Sequence, residues 1–197
     1  NLSNLRKLRD RLKSGGVSSL TWIATPFDSI DHYIDDVLRL VSEEHFDVVL
    51  PFTHACVAAC TYAKDRIEKF ASLPFPDFDK FMIFHDKWTT ALRCQDAGIP
   101  IPKTFHPEGI DDLLNYRALL DYPVVVKAQI GCGIKNGVRI ANDWNEVLYY
   151  YSEMTKQESF SFLDNFERPI IQEYVPGEIR DVVGVFKDGE PLGILSQ

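Results

Sequence analysis

The chain has 197 residues, 45% of them hydrophobic, which is enough for a real core; disorder is excluded, and one large or two small domains are expected. Its 29 acidic and 21 basic residues leave a net charge of -8, which argues against a nucleic-acid partner, because that surface needs clustered Lys and Arg. No apolar run reaches the roughly 18–20 residues that span a bilayer, and the opening Asn-Leu-Ser-Asn-Leu-Arg-Lys lacks a signal-peptide core, so a soluble cytoplasmic protein without membrane contact is expected.

Residue 1 is Asn, and the first element reads as an amphipathic helix carrying Leu5, Leu8 and Leu12 and stopped by Gly15-Gly16; the N-terminus reads as trimmed. Val17 to Ala24 is expected as a strand, followed after Pro26 by a helix from Ser29 to Glu44 with Ile30, Ile34, Val37, Leu38 and Val41 at helical spacing. Asp47-Val-Val-Leu-Pro reads as a strand buried on both faces of a parallel sheet, and Thr53 onward as a helix reaching about Phe70. Cys56, Cys60, Cys94 and Cys132 form no CxxC pair, so packing as reduced thiols is expected over a metal site. The two prolines of Leu73-Pro-Phe-Pro-Asp mark a domain boundary near residue 78.

Beyond it, His85-Asp86 can cap a helix running to Ala97 and ended by Gly98, and Ile99-Pro-Ile-Pro-Lys-Thr is held extended by its prolines. Asp111 to Leu120 reads as a helix, Val124 to Ala128 as a strand, Gly131 to Gly137 as a glycine loop, Val138 to Ile140 as the returning strand, and Asp143 to Lys156 as a helix. Trp144 and Tyr149-Tyr-Tyr151 are expected to pack that helix. Strands follow over Ile170–Val175 and Ile179–Phe186, with Asp188-Gly189 as a hairpin turn into Pro191–Leu195.

The chemistry concentrates in Val124-Val-Val-Lys127-Ala-Gln-Ile-Gly131-Cys-Gly133-Ile-Lys135-Asn-Gly137. A lysine closing a fully apolar strand is costly to bury unless an anion meets it, and glycines in the next turn let backbone N–H groups wrap phosphate oxygens while Lys135 adds positive charge. A plain hairpin with its lysines in water is the competing reading of the loop alone. The Walker and dinucleotide patterns do not fit, since the loop joins two strands, and no kinase HRD or DFG follows.

Taken with Ile170-Ile-Gln172-Glu173-Tyr174-Val175-Pro176-Gly177-Glu178, the loop carries a resemblance. Asp86-Lys87 at a helix start, Gly98-Ile-Pro-Ile-Pro-Lys-Thr104, Tyr122-Pro-Val-Val-Val-Lys127 and Gln172-Glu-Tyr-Val-Pro-Gly177-Glu178 occur in the order of the ATP-grasp superfamily. The chain resembles the branch of carbamoyl-phosphate synthetase large subunits and biotin carboxylases over about residues 85 to 197. The resemblance implies an α/β fold: a Rossmann-like pre-ATP-grasp domain over 1–78 with its first strand missing, then an ATP-grasp domain over 79–197, truncated at its C-terminus, with the small lid subdomain and the start of the large one. It implies that Lys87 and Lys127 bind ATP phosphates beneath the loop of Gly131, Gly133, Lys135 and Gly137. Gln172 to Val175 would form the hinge, with the Glu173 carbonyl and the Val175 N–H reading adenine, and Glu178 would accept the ribose hydroxyls. Arg180 would reach a phosphate or pair with Asp181.

The implied function is ATP-dependent carboxylate–amine or bicarbonate ligation through an acyl phosphate, with ATP and a small carboxylate or bicarbonate as ligands and a homodimer as an allowed assembly. Mg2+ ligands are expected beyond residue 197, so this stretch is expected to be inactive alone. A non-catalytic nucleotide-binding or structural module is the alternative, and a plain dinucleotide-binding domain a third. His54 is read as structural beside a Thr53 helix cap.

Overall fold

The computed structural model describes residues 19–130, 137–156 and 168–196. They form two units, one holding residues 19–93 and the other most of the chain from Cys94 onward.

The first unit is built on α1 (Ile30–Glu43). Ser29 caps it by accepting from the His32 N–H at 3.3 Å, and the apolar stripe Ile30, Tyr33, Ile34, Val37 and Val41 is buried as its spacing predicts. The stripe packs with Ala59 and Cys60 of α2 (His54–Tyr62), Ile67 of α3 (Lys64–Ile67), Ala71 and Leu73. The helix expected over Thr53–Phe70 is thus two, parted at Ala63, whose backbone (φ -97°, ψ 16°) leaves the helical basin. Cys60 is a buried free thiol 3.7 Å from the Tyr33 hydroxyl, as expected for core packing; Cys132 lies outside the described residues.

Two strand expectations fail here. The described part of Val17–Ala24 is not a strand: Ala24 gives its N–H to Asp36 Oδ2 at 2.9 Å instead of to a neighbouring chain. Asp47–Leu50 makes one parallel bridge, Val48 to Ser72, and is not buried on both faces. Val48 and Leu50 are 46% and 55% exposed while Val49 packs on the core, so one side chain in two points inward. The acidic residues Asp31, Asp35 and Glu43 of α1 face solvent, and Asp36 is half-buried.

α4 (Phe78–His85) was not legible in the sequence. α5 (Lys87–Asp96) follows, with buried Asp86 accepting from the N–H groups of Trp88 at 2.8 Å and Thr89 at 3.1 Å. Gly98, at φ 68°, ends it in the left-handed region that a glycine enters without strain.

The second unit centres on an antiparallel sheet of order β1-β4-β2-β3: β1 (Thr104–Phe105), β2 (Val124–Lys127), β3 (Val138–Ala141) and β4 (Ile170–Glu173). Between β1 and β2, the expected helix over Asp111–Leu120 is a short α6 (Ile110–Leu113) tightened into a 3-10 turn over Leu114–Leu119. Leu113 and Leu120 are buried but Leu114 and Leu119 are about half exposed, so no continuous stripe holds an α-helix there. α7 (Trp144–Thr155), capped by Asp143, lays Val147, Tyr151 and Met154 against Val124, Val126, Ala141 and Ile171. Tyr151 donates to the Pro107 carbonyl at 3.2 Å, and burial pushes its phenol up to about 12; Tyr149 is exposed and not part of that packing.

The strands β5 (Val182–Lys187) and β6 (Glu190–Ser196) form a separate hairpin through the expected Asp188-Gly189 turn, both residues at positive φ. β4 and β5 start or stop short of their expected limits: the segment from Tyr174 to Asp181 pairs with no strand.

Candidate functional site

β2 is the second unit's most enclosed strand. Val124, Val125 and Val126 are 2%, 8% and 0% exposed, and β3 and β4 pair with the strand on either side, so its β-branched residues are packed on all sides. Lys127 closes it, opposite Val138 on β3 and Ile170 on β4. Its ammonium is half-buried and donates to Gln172 Oε1 at 2.6 Å. The Gln172 amide donates in turn to Thr104 Oγ1 at 2.8 Å, and the Thr104 hydroxyl donates to the Pro102 carbonyl at 2.8 Å. Thr104 and Gln172 are direct partners across β1 and β4, which is what brings the hydroxyl and the amide together. Burial holds the Lys127 ammonium below the ordinary lysine range, and among the described residues no carboxylate pairs with it.

Past Lys127, the Ala128 N–H donates to the Gly137 carbonyl at 2.9 Å, closing the base of the glycine loop. Gly131, Gly133 and Lys135 lie outside the described residues. Gln129, 4% exposed, accepts from His106 Nε2 at 3.0 Å and the Arg168 N–H at 3.3 Å. The backbone N–H of Arg168 can only donate, so the glutamine oxygen is the acceptor and His106 Nε2 carries a hydrogen.

The structure therefore joins Lys127 directly to Gln172. Glu173 follows on β4, exchanging backbone and side-chain hydrogen bonds with Lys103: its N–H donates to the Lys103 carbonyl at 2.8 Å and its Oε2 accepts the Lys103 N–H at 3.0 Å. Val175 is 60% exposed. Glu178 is exposed and pairs with Arg180 at 3.1 Å, so within the chain Arg180 is paired with Glu178 and not with Asp181. Lys87 opens α5 in the first unit. Sequence reasoning missed Thr104, His106 and Gln129; their meaning comes from pairings far apart in the chain, and only the Pro-Lys-Thr approach hinted at Thr104.

In the first unit His54 and His85 stack at 6.0 Å between ring centroids, with Phe81 4.9 Å from His85 and Phe27 edge-on to His54. Burial lowers both imidazoles below their ordinary range, and for His85 the charges of His54 and Lys87 add to it. Thr53 caps α2 beside His54 as expected. Among the described residues no three His, Cys, Asp or Glu side chains converge to hold a metal ion, and no helix is long and apolar enough to cross a membrane.

The α/β fold is that of the ATP-grasp enzymes, matched over about three-quarters of the chain. Two solved structures carry this likeness. Biotin carboxylase from Campylobacter jejuni, in a β,γ-ATP complex, matches with a TM-score of 0.62 and 14% identity over 79% of this chain and 35% of its own. The biotin carboxylase domain dimer of Hydrogenobacter thermophilus 2-oxoglutarate carboxylase, holding MgADP, ADP and bicarbonate, matches with a TM-score of 0.59 and 19% identity over 74% of this chain and 32% of its own. In sequence the chain is similar to the alpha-aminoadipate–LysW ligase LysX of Saccharolobus solfataricus, 32% identical over an alignment of 118 positions that covers 54% of this chain and 41% of LysX. The chain thus spans less than half the length of these relatives. No family model matches it.

Proposed function

We propose that the chain carries the nucleotide-gripping part of an ATP-dependent ligase that activates a small carboxylate or bicarbonate as an acyl phosphate for capture by an amine, in the manner of carbamoyl-phosphate synthetase. The observation that carries this reading is Lys127: a half-buried ammonium at the end of an all-valine strand, held by a neutral amide, in a chain whose net charge is -8. A cation left uncompensated in such surroundings is stabilised when an anion reaches it, and a nucleotide phosphate supplies that anion. The fold relatives include proteins crystallised with ATP or ADP, and LysX by its name ligates alpha-aminoadipate to LysW, which supports the class.

On this reading Lys127 neutralises phosphate charge and the loop of Gly131, Gly133, Lys135 and Gly137 supplies backbone N–H groups. Glu173 and Val175 present backbone groups to the adenine, and Glu178 releases Arg180 to take the ribose hydroxyls. The part before residue 78 is the preceding Rossmann-like domain, a reading to which the Val48–Ser72 parallel bridge lends support. Mg2+ would neutralise the transferring phosphoryl group. The described residues offer no cluster that fits it, and no step is assigned to it through them.

Calorimetric titration of the intact protein with ATP and Mg2+ tests the reading. Lys127→Ala is expected to weaken binding at least about tenfold, the worth of a charge-assisted contact. Unchanged affinity would remove Lys127 from the site.

A further inference from the structure

We propose that Gln172 and Thr104 are positioning residues forming a neutral relay that aims the Lys127 ammonium while leaving its charge for an anionic ligand. The inference rests on the nucleotide reading only for the identity of that anion.

The direction of the relay is set by chemistry at both ends. An ammonium only donates, so the Gln172 oxygen must face Lys127, at 2.6 Å, and the Gln172 nitrogen must face Thr104, at 2.8 Å. The Pro102 carbonyl only accepts, so the Thr104 hydroxyl spends its hydrogen there, at 2.8 Å, and meets the amide with a lone pair. Reversing any one member leaves two donors or two acceptors facing each other. The relay therefore holds one geometry, and it does so across three strands, β2, β4 and β1.

The relay contains no negative charge, although acids lie close in sequence. Glu173 is the next residue on β4, but successive strand residues face opposite ways, and its carboxylate is turned to the Lys103 N–H at 3.0 Å. Glu178 is engaged with Arg180. A carboxylate at position 172 would reach Lys127 from the same place and form an ion pair there, stabilising the ammonium at the expense of its availability. Among the described residues Gln172 is the ammonium's hydrogen-bond partner, which leaves its other donors to a ligand. The β-branched Thr104 has restricted rotamers, which suits a fixed acceptor on a strand.

The test uses the intact protein and the variants Gln172→Glu, Gln172→Leu and Thr104→Val, each checked for an unchanged circular dichroism spectrum. One readout is the Lys127 pKa, taken from the pH dependence of its acylation by acetic anhydride, followed by mass spectrometry. The other is ATP affinity by calorimetry. Gln172→Glu is expected to raise the Lys127 pKa by about one unit and to weaken ATP binding about tenfold, although it strengthens the local contact. Gln172→Leu is expected to weaken ATP binding without raising that pKa, and Thr104→Val, which is nearly isosteric, to weaken it about two- to fivefold by freeing the amide to turn. A merely structural role for Gln172 predicts lowered thermal stability with the pKa unmoved. Wild-type pKa and affinity in Gln172→Glu overturn the relay. If the unaltered protein binds no ATP, the nucleotide reading falls, and the acylation readout decides the relay alone: a raised pKa in Gln172→Glu supports it and an unmoved one overturns it.

Discussion

Two residues show how differently burial is resolved when a charged group enters the interior. Asp86, 2% exposed, receives two backbone N–H groups of α5, from Trp88 and Thr89, and a carboxylate at a helix start is favoured by the helix dipole. Among the described residues Lys127 meets the oxygen of a neutral amide, and burial lowers its pKa. The first arrangement is closed and structural; the second is open to an anion. Asp86→Ala should therefore cost about 1–2 kcal/mol of stability, the usual worth of a lost cap, readable as a lower urea midpoint with an unchanged slope. A midpoint within error of wild type would show that the two N–H groups find water at no cost.

At the scale of elements, α2 and α4 meet through stacked His54 and His85, with Phe27 and Phe81 against them. Burial disfavours the charge on His85 most strongly, His54 and Lys87 add to it, and Asp86 opposes them. Both imidazoles have folded-state pKa values below the ordinary 6.5, so the unfolded chain binds protons first as pH falls. Stability is then full above about pH 6.5 and declines as pH drops through the lowered values. Denaturation midpoints between pH 7.5 and 5 should fall in the wild type and fall less in the double variant His54→Phe, His85→Phe; equal pH slopes would separate the stack from acid sensitivity. Elements also show where patterning succeeds. α1 and α7 were legible with their caps because Ser29 and Asp143 sit one residue before periodic apolar runs. α4 was hidden behind the prolines that precede it, and the 3-10 turn after α6 looked helical because Leu113 and Leu120 stand seven residues apart, a spacing shared by a helix and by other compact turns.

Among the described residues there are two cores, one gathered on α1 and one between the sheet and α7. Ile171 lies in the second at 0% exposure, on the strand that pairs with both β1 and β2. Ile171→Ala should destabilise by about 2–5 kcal/mol through lost burial and the cavity it leaves. Native-state hydrogen exchange should report the loss at the Val124–Lys127 amides, and protection as high as in the wild type would mean that the sheet closes over the gap. The same strand sets Gln172 beside Lys127, so the stability of this core and the aim of the ammonium are coupled through β4.

The sequence by itself determined the local features: the capped helices, the apolar β2 ending in Lys127, the Asp188-Gly189 hairpin and the order of motifs that resembles ATP-grasp enzymes. These follow from spacing, propensity and turn chemistry within a few residues. Tertiary structure alone decided that Asp47–Leu50 shows one face to the core instead of two, and that Lys127 is held by Gln172 and Thr104. Gln172 stands 45 residues from Lys127 and 68 from Thr104, and strand register, which sets such meetings, comes from pairing between distant segments that no local pattern encodes.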